Sequence, residues 1–305
     1  MGDAALSGRD LRFDGRVAVV TGAGTGMGRE HARLLAARGA SVVLGDVTGA
    51  AEAADELGAP GAAVIGVSAD VATRSGADAL IAAARSTFGR VDVVVNNAGV
   101  LRSADAADTT DALWDEVMAV NLRGAFLVTR AAWPALCEQG YGRVVFTTSN
   151  SGLLGVPGSS AYAASKAGLW GLVRVLALEG GPFGIGVNAI APLAYTAMSA
   201  QSRAAPPSWR DGSGDAWAAR LAPTRVSPVV AWLAHEQCAL TGEVLSVAGG
   251  RVARFFLGLT PGVVDDDLTV EAVRDAEQQI VDEAGFEVLA AAADENRRLY
   301  RRLMP

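Results

Sequence analysis

The sequence is poor in cysteine, in histidine and in long apolar runs. Cys137 and Cys238 are its two cysteines in 305 residues. Their separation makes neither a disulfide framework nor a zinc site, so both read as small buried side chains in a reducing compartment. The histidines, His31 and His235, lack metal-ligand spacing and read as structural or surface residues; no metal is expected. No apolar stretch approaches the roughly 20 residues that span a bilayer. The opening "MGDAALSGRDLRFDGR" has no signal-peptide core and no acylation signal. A cytoplasmic protein with no membrane partner is expected. Positive charge is also scarce: 26 Lys and Arg face 33 Asp and Glu, a net charge of -7, which argues against a nucleic-acid partner. The 36 glycines follow no Gly-X-Y period, so collagen is excluded.

What is present points to a large core. Half the residues are apolar and 19% are charged, in a chain long enough for one large α/β domain or two small ones. "RVAVVTGAG" (16–24) reads as a buried strand, "GREHARLLAARGA" (28–40) as a helix and "SVVLGD" (41–46) as the next strand. The alternation continues: helix 50–58, strand 62–67, helix 73–88, strand 91–99, a long helix within 110–138, strand 142–149, helix 161–180, strand 185–192, helix 226–236, strand 243–249. Such alternation predicts a doubly wound α/β fold, a parallel sheet covered on both faces. Residues 196–224, with Pro206, Pro207, Gly212, Gly214, Trp209 and Trp217, form a long connection of the kind used for lids. An aromatic lid suits a bulky apolar substrate; packing under the loop or between subunits is the equal alternative. Residues 251–305 read as a helical appendage, either packed on the domain or reaching a neighbouring subunit. "DDD" (265–267) reads as a solvated turn. Arg297, Arg298, Arg301 and Arg302 suit a helix C-terminus or a CoA phosphate.

Two constellations carry chemistry. "TGAGTGMG" (21–28) stands between the first strand and the first helix. Glycines there let the backbone approach a pyrophosphate at a helix N-terminus. Asp46 closes the second strand, where a carboxylate accepts the ribose hydroxyls of NAD and repels the 2'-phosphate of NADP. Asp70, after the third strand, would meet the adenine amino group or cap the next helix. Tyr162 and Lys166 lie at i and i+4, on one helix face. A nearby ammonium favours phenolate, which then takes a proton from an alcohol as hydride leaves. Ser149 would hold the substrate oxygen, and Asn121 would orient a water chain to Lys166.

With "NNAG" (96–99), Asn121, Ser149, "YAASK" (162–166) and "TGEVLSVAGG" (241–250), the sequence resembles the short-chain dehydrogenase/reductase family over roughly residues 12–250. The resemblance implies a seven-stranded parallel Rossmann sheet, the Asn121–Ser149–Tyr162–Lys166 tetrad, a small-molecule alcohol or ketone substrate and a homotetramer. It assigns the NAD site to Gly22, Thr25, Gly26, Met27, Gly28, Asp46, Asp70, Val71, Asn97, Ala98, Gly99, Pro192 and Thr196, with Tyr162 and Lys166. Thr196 would hold the nicotinamide carboxamide. One position departs: the family has glycine after the proline that ends strand six, and here Leu193 puts a side chain close to the nicotinamide. "RVSPVVAWLAHEQCALTGEVLSVAGG" is similar to the (3R)-hydroxyacyl-CoA dehydrogenase branch as well. An NAD-dependent dehydrogenase of a hydroxysteroid or similar bulky alcohol is expected first. A (3R)-hydroxyacyl-CoA dehydrogenase or ketoreductase is second. A non-catalytic NAD(H) sensor is the reading from another class, against which the intact tetrad stands.

Overall fold

The computed structural model describes residues 11–58, 63–202 and 216–304. Trp209, Pro206, Pro207, Gly212 and Gly214, the residues expected to form a lid, lie outside them. So do residues 1–10 and the first residue expected of strand 62–67. The chain divides into two compact units, Met1–Arg254 and Phe255–Pro305.

The first unit is a sheet between helical layers. Its strands are β1 (Val17–Thr21), β2 (Ser41–Asp46), β3 (Val64–Ser68), β4 (Val93–Asn96), β5 (Gly142–Thr147), β6 (Ile185–Leu193), β7 (Val244–Ala248) and β8 (Arg251–Phe255). They lie in the order β3-β2-β1-β4-β5-β6-β7-β8. β1 to β7 pair in parallel. These strands are buried on both faces, which explains their near-continuous valine runs. Ala18, Val20, Val42, Leu44, Val93 and Val95 point into one core; by alternation Val19, Val43, Val94 and Val144 point to the other face, all fully buried. Helices α1 (Gly26–Ala37) and α10 (Ser227–Ala234) pack together on the first face. On the second lie α3 (Arg74–Phe88), α5 (Ala125–Gln139) and α7 (Ser160–Gly180).

The sheet has eight strands, not the expected seven. Gly249 and Gly250, both at positive φ, connect β7 to β8 in two residues. A link that short joins antiparallel neighbours, and Arg254 closes the hairpin through a bidentate ion pair with Glu243. The start of the expected helical appendage is therefore a strand.

The second unit holds an antiparallel bridge between Leu259 and Glu287, a stacked Phe256–Phe286 pair 5.5 Å apart, and helices α11 (Val270–Asp275), α12 (Glu277–Val281) and α13 (Ala292–Leu303). Asp265 accepts from the Asp267 amide, making the expected acidic turn. Arg297 pairs with Asp294, Arg298 with Glu287, and Arg302 donates to the carbonyls of Pro261 and Gly262.

Candidate active site

The strand order reverses between β1 and β4, and parallel α/β sheets bind ligands at the carboxyl ends flanking such a point. A cavity of about 750 Å³ opens there. Its wall takes in Gly22, Thr25, Gly26, Met27, Asp46, Asp70, Val71, Asn97, Ala98, Gly99, Ser149, Tyr162, Lys166, Pro192 and Thr196. Of the residues singled out in the sequence, Gly28 and Asn121 stand behind the wall.

The glycine turn fits a dinucleotide for reasons of space. A Cβ on Gly22 would lie 2.7 Å from Ala98 Cα, and one on Gly28 would lie 2.2 Å from the Gly22 carbonyl oxygen. These two glycines let β1, α1 and the loop after β4 touch. Gly26 differs: its φ is +57° and its Cβ direction is open. It leaves the room a pyrophosphate needs at the head of α1. Thr21 ties the parts together, its hydroxyl accepting from the amides of Asn97 and Ala98, both at 3.0 Å. Asn97 returns two bonds of 3.1 Å to the carbonyls of Thr21 and Gly22.

At the far end of β2, Asp46 accepts from the Gly24 amide at 3.0 Å and the Thr48 amide at 3.3 Å, so its carboxylate is oriented before any ligand arrives. Asp70 is exposed and accepts from the Ala72 amide. It does not cap α3; Thr73 does, accepting from the Gly76 amide at 3.0 Å. The capping role is thus Thr73's, and the Asp70 carboxylate closes a turn onto Ala72.

The reacting end draws on β5, α7 and the helix before α5. Asp111–Gln139 runs as α4 (Asp111–Met118), a π-turn (Ala119–Gly124) and α5. Asn121 lies in the π-turn, as functional residues on such turns often do. Its amide clamps one residue from both sides: Oδ1 accepts from the Val100 N–H at 2.7 Å, and Nδ2 donates to the Val100 carbonyl and to Ser165 Oγ. Both Asn121 Oδ1 and Lys166 Nζ lie within 3.5 Å of the Cβ position of Gly99. Lys166 is buried; its Nζ donates to the Thr147 carbonyl at 2.7 Å and lies 5.7 Å from the centre of the Tyr162 ring. Burial holds the amine at about 8, below its ordinary 10.5. Burial raises the Tyr162 phenol, and the Ser149 hydroxyl beside it opposes that rise. The sequence leads one to expect a phenol lowered by the lysine ammonium together with a nicotinium ring; for the protein alone, burial is the larger cause.

Pro192 and Leu193 end β6 opposite Val247 and Ala248. Leu193 packs against the pair Ala218 and Leu221 while also touching the cavity. Thr196 caps a short helix, α8 (Ala197–Ala200), and exchanges hydrogen bonds with Ser199. Sequence reasoning missed Leu101, Val156, Tyr195 and Met198, which add apolar surface to a wall that also carries Asn150, Ser151 and Ser159; they carry no motif and are placed by the turns around them. It also missed a countable signal: Lys166 is the sole lysine among 26 Lys and Arg residues. Among the described residues no cluster of three metal-ligating side chains occurs, and no helix is long and apolar enough to cross a membrane.

A glycine-floored cleft thus runs from an oriented carboxylate to a phenol beside a buried amine. The short chain dehydrogenase model matches residues 16–207, and the chain belongs to that family, oxidoreductases of CH–OH groups that use a nicotinamide cofactor. It is 38% identical over 287 residues to the peroxisomal multifunctional enzyme type 2 of Mus musculus, covering 89% of this chain and 37% of that one. It is 41% identical over 256 residues to a hydroxyacyl-CoA dehydrogenase of Mycobacterium tuberculosis, covering 79% of each. The full-length peroxisomal multifunctional enzyme type 2 of Drosophila melanogaster superposes with a TM-score of 0.81 at 34% identity, over 96% of this chain and 50% of that one. The chain thus spans half or less of the length of these two multifunctional enzymes.

Proposed function

We propose that the protein is an NAD-dependent dehydrogenase that oxidises the secondary alcohol of a hydroxyacyl-CoA. The observation that carries this is the placing of Ser149, Tyr162 and Lys166 on one wall of the cavity that Asp46 closes at its other end. Ser149 donates to the substrate oxygen. Tyr162 takes the alcohol proton as phenolate and returns it as phenol in the reverse direction. Lys166 supplies the positive charge that a phenol raised by burial needs in order to ionise. Asn121 fixes the backbone of Val100 and the Ser165 hydroxyl, so the floor of the site keeps its shape. NAD, when bound, accepts the hydride. Asp46 selects NAD over NADP by its charge, and Thr196 stands where the resemblance puts the carboxamide.

The acyl-CoA substrate is favoured over the hydroxysteroid by the likeness to a hydroxyacyl-CoA dehydrogenase. The apolar stretch formed by Leu101, Val156, Leu193 and Met198 supports a hydroxysteroid as second reading. A second copy of the chain suits the apolar groove of Met118, Leu122, Phe126, Leu172 and Val175, in line with a homotetramer; light scattering checks it. Residues 251–305 serve as an appendage to the domain or to a neighbouring subunit, and a chain lacking them should lose turnover or assembly. The compartment is read as cytoplasmic from the free cysteines, and localisation of the tagged protein checks this against the peroxisomal relatives.

The test is nicotinamide reduction with NAD and NADP across hydroxyacyl-CoAs and hydroxysteroids, with Tyr162→Phe alongside. Expected is NAD-linked turnover of a hydroxyacyl-CoA, reduced about 1,000-fold or more in Tyr162→Phe while NADH still binds. Undiminished turnover in that variant removes Tyr162 as proton carrier. Turnover with NADP alone overturns the Asp46 reading. Tight NADH binding with no turnover of any alcohol favours the sensor.

A further inference from the structure

Lys166 is held at two points by one dipeptide. Its Nζ donates to the Thr147 carbonyl at 2.7 Å, and the Thr148 hydroxyl donates to the Lys166 carbonyl at 2.6 Å. The bonds run in opposite directions between residues 19 and 18 apart in sequence, and together they close a ring through the whole lysine side chain. The Thr148 amide in turn donates to the Ile190 carbonyl at 2.8 Å, so the ring is fixed to β6. Thr148 is fully buried. Gly152, in the short helix α6 (Ser151–Leu154), presses on the same place: a Cβ there would lie 2.7 Å from the Ala167 amide nitrogen and 3.0 Å from Lys166 Cβ.

Lysine carries its ammonium on a flexible four-carbon stem, so where the amine rests depends on what holds its head and on where the helix sets its root. The α7 backbone already has its own hydrogen bonds, so the Thr148 bond is not needed to satisfy the helix. We propose that Thr148 is a positioning residue for Lys166, its hydroxyl locking the α7 backbone so that the amine reaches the Thr147 carbonyl and the foot of Tyr162. This rests on the dehydrogenase reading for its catalytic consequence, but not for its test.

Because the chain has one lysine, lysine labelled with ¹³C at Cε gives one side-chain signal. Its titration reads Lys166 directly, with no substrate present. In the full-length protein we expect Thr148→Val to raise the titration midpoint by roughly half a pH unit or more, as a loosened amine regains water. Thr148→Ser, which keeps the hydroxyl, restores it. In turnover, Thr148→Val lowers kcat about tenfold with KM for NAD within about twofold, again rescued by serine. Should Thr148→Val not fold, Thr148→Ala provides the same titration without a methyl facing the Lys166 carbonyl. An unmoved midpoint in the hydroxyl-free variant, or a shift that Thr148→Ser fails to reverse, overturns the proposal. A serine-rescued shift in a protein that oxidises no alcohol upholds the positioning role and defeats the dehydrogenase reading instead.

Discussion

The two ends of the cavity are built on different principles. The Asp46 end is mostly backbone: glycines that let β1, α1 and the loop after β4 meet, and a carboxylate held by the amides of Gly24 and Thr48. Apart from the Asn97 loop, its parts lie within the first quarter of the chain. The Tyr162 end is side chains, gathered from a π-turn, a strand end and one helix. It buries an amine and a phenol that both resist ionising where they stand. The first end is a site that folding makes comfortable. The second stores unfavourable desolvation for use in chemistry, as active sites commonly do. The comparison makes a division of labour testable: damage at the first end should appear in cofactor affinity, damage at the second in kcat and, with the opposite sign, in stability.

The largest effect is expected from Lys166→Met. Turnover should fall about 1,000-fold or more while NADH still binds. Stability should move the other way. The folded amine titrates at about 8 and the unfolded one at 10.5. Between these values the unfolded chain binds more protons, so the native state gains stability as pH rises through that window and loses it as pH falls, down to about 8. The methionine variant has no such dependence. Its advantage over the parent at pH 7 should therefore shrink towards pH 10.5, by about 3 kcal/mol at most. Urea melts of both proteins at the two pH values decide the point. A variant less stable than its parent at pH 7, with a pH-independent gap, would show that the Thr147 bond outweighs the burial of charge.

At the other end, Asp46→Ser should raise KM for NAD about 10- to 100-fold and admit NADP, with kcat at saturation within about threefold. The steady-state constants for both cofactors check it. If kcat fell as far as KM rose, the two ends would be coupled and the division would fail.

How much of this could be read in the sequence follows the same division. Valine runs between helices required a parallel sheet, and the short spacing from "TGAGTGMG" to Asp46 exposed the binding end, because backbone chemistry leaves local motifs. Tyr162 and Lys166 showed as a pair for the same reason, four residues apart. The π-turn at Asn121 did not show; it depends on how α4 and α5 pack, not on a residue type. β8 has its Gly249-Gly250 signal, yet the charged residues beyond it make the whole stretch read as a helical tail. Thr73 in place of Asp70 as the cap of α3 is a choice between two capping residues three apart. The second hold on Lys166 is a contact 18 residues away that no spacing announces.

Thr196 belongs to neither end by position, and offers the smallest and sharpest test. Its Oγ1 accepts from the Ser199 amide at 3.1 Å as the cap of α8. A hydroxyl that accepts still has a proton to give, so capping and holding a carboxamide are compatible roles. Thr196→Val removes both. Loss of the cap should cost about 1 kcal/mol in a melt. Loss of the donated bond should raise KM for NAD roughly three- to tenfold with kcat within about twofold. That outcome assigns Thr196 to the binding end. A fall confined to kcat would assign it to the reacting end, where its task would be the angle at which the cofactor meets the alcohol. The melt alone changing, with both kinetic constants intact, would leave Thr196 a helix cap and take the carboxamide role away from it.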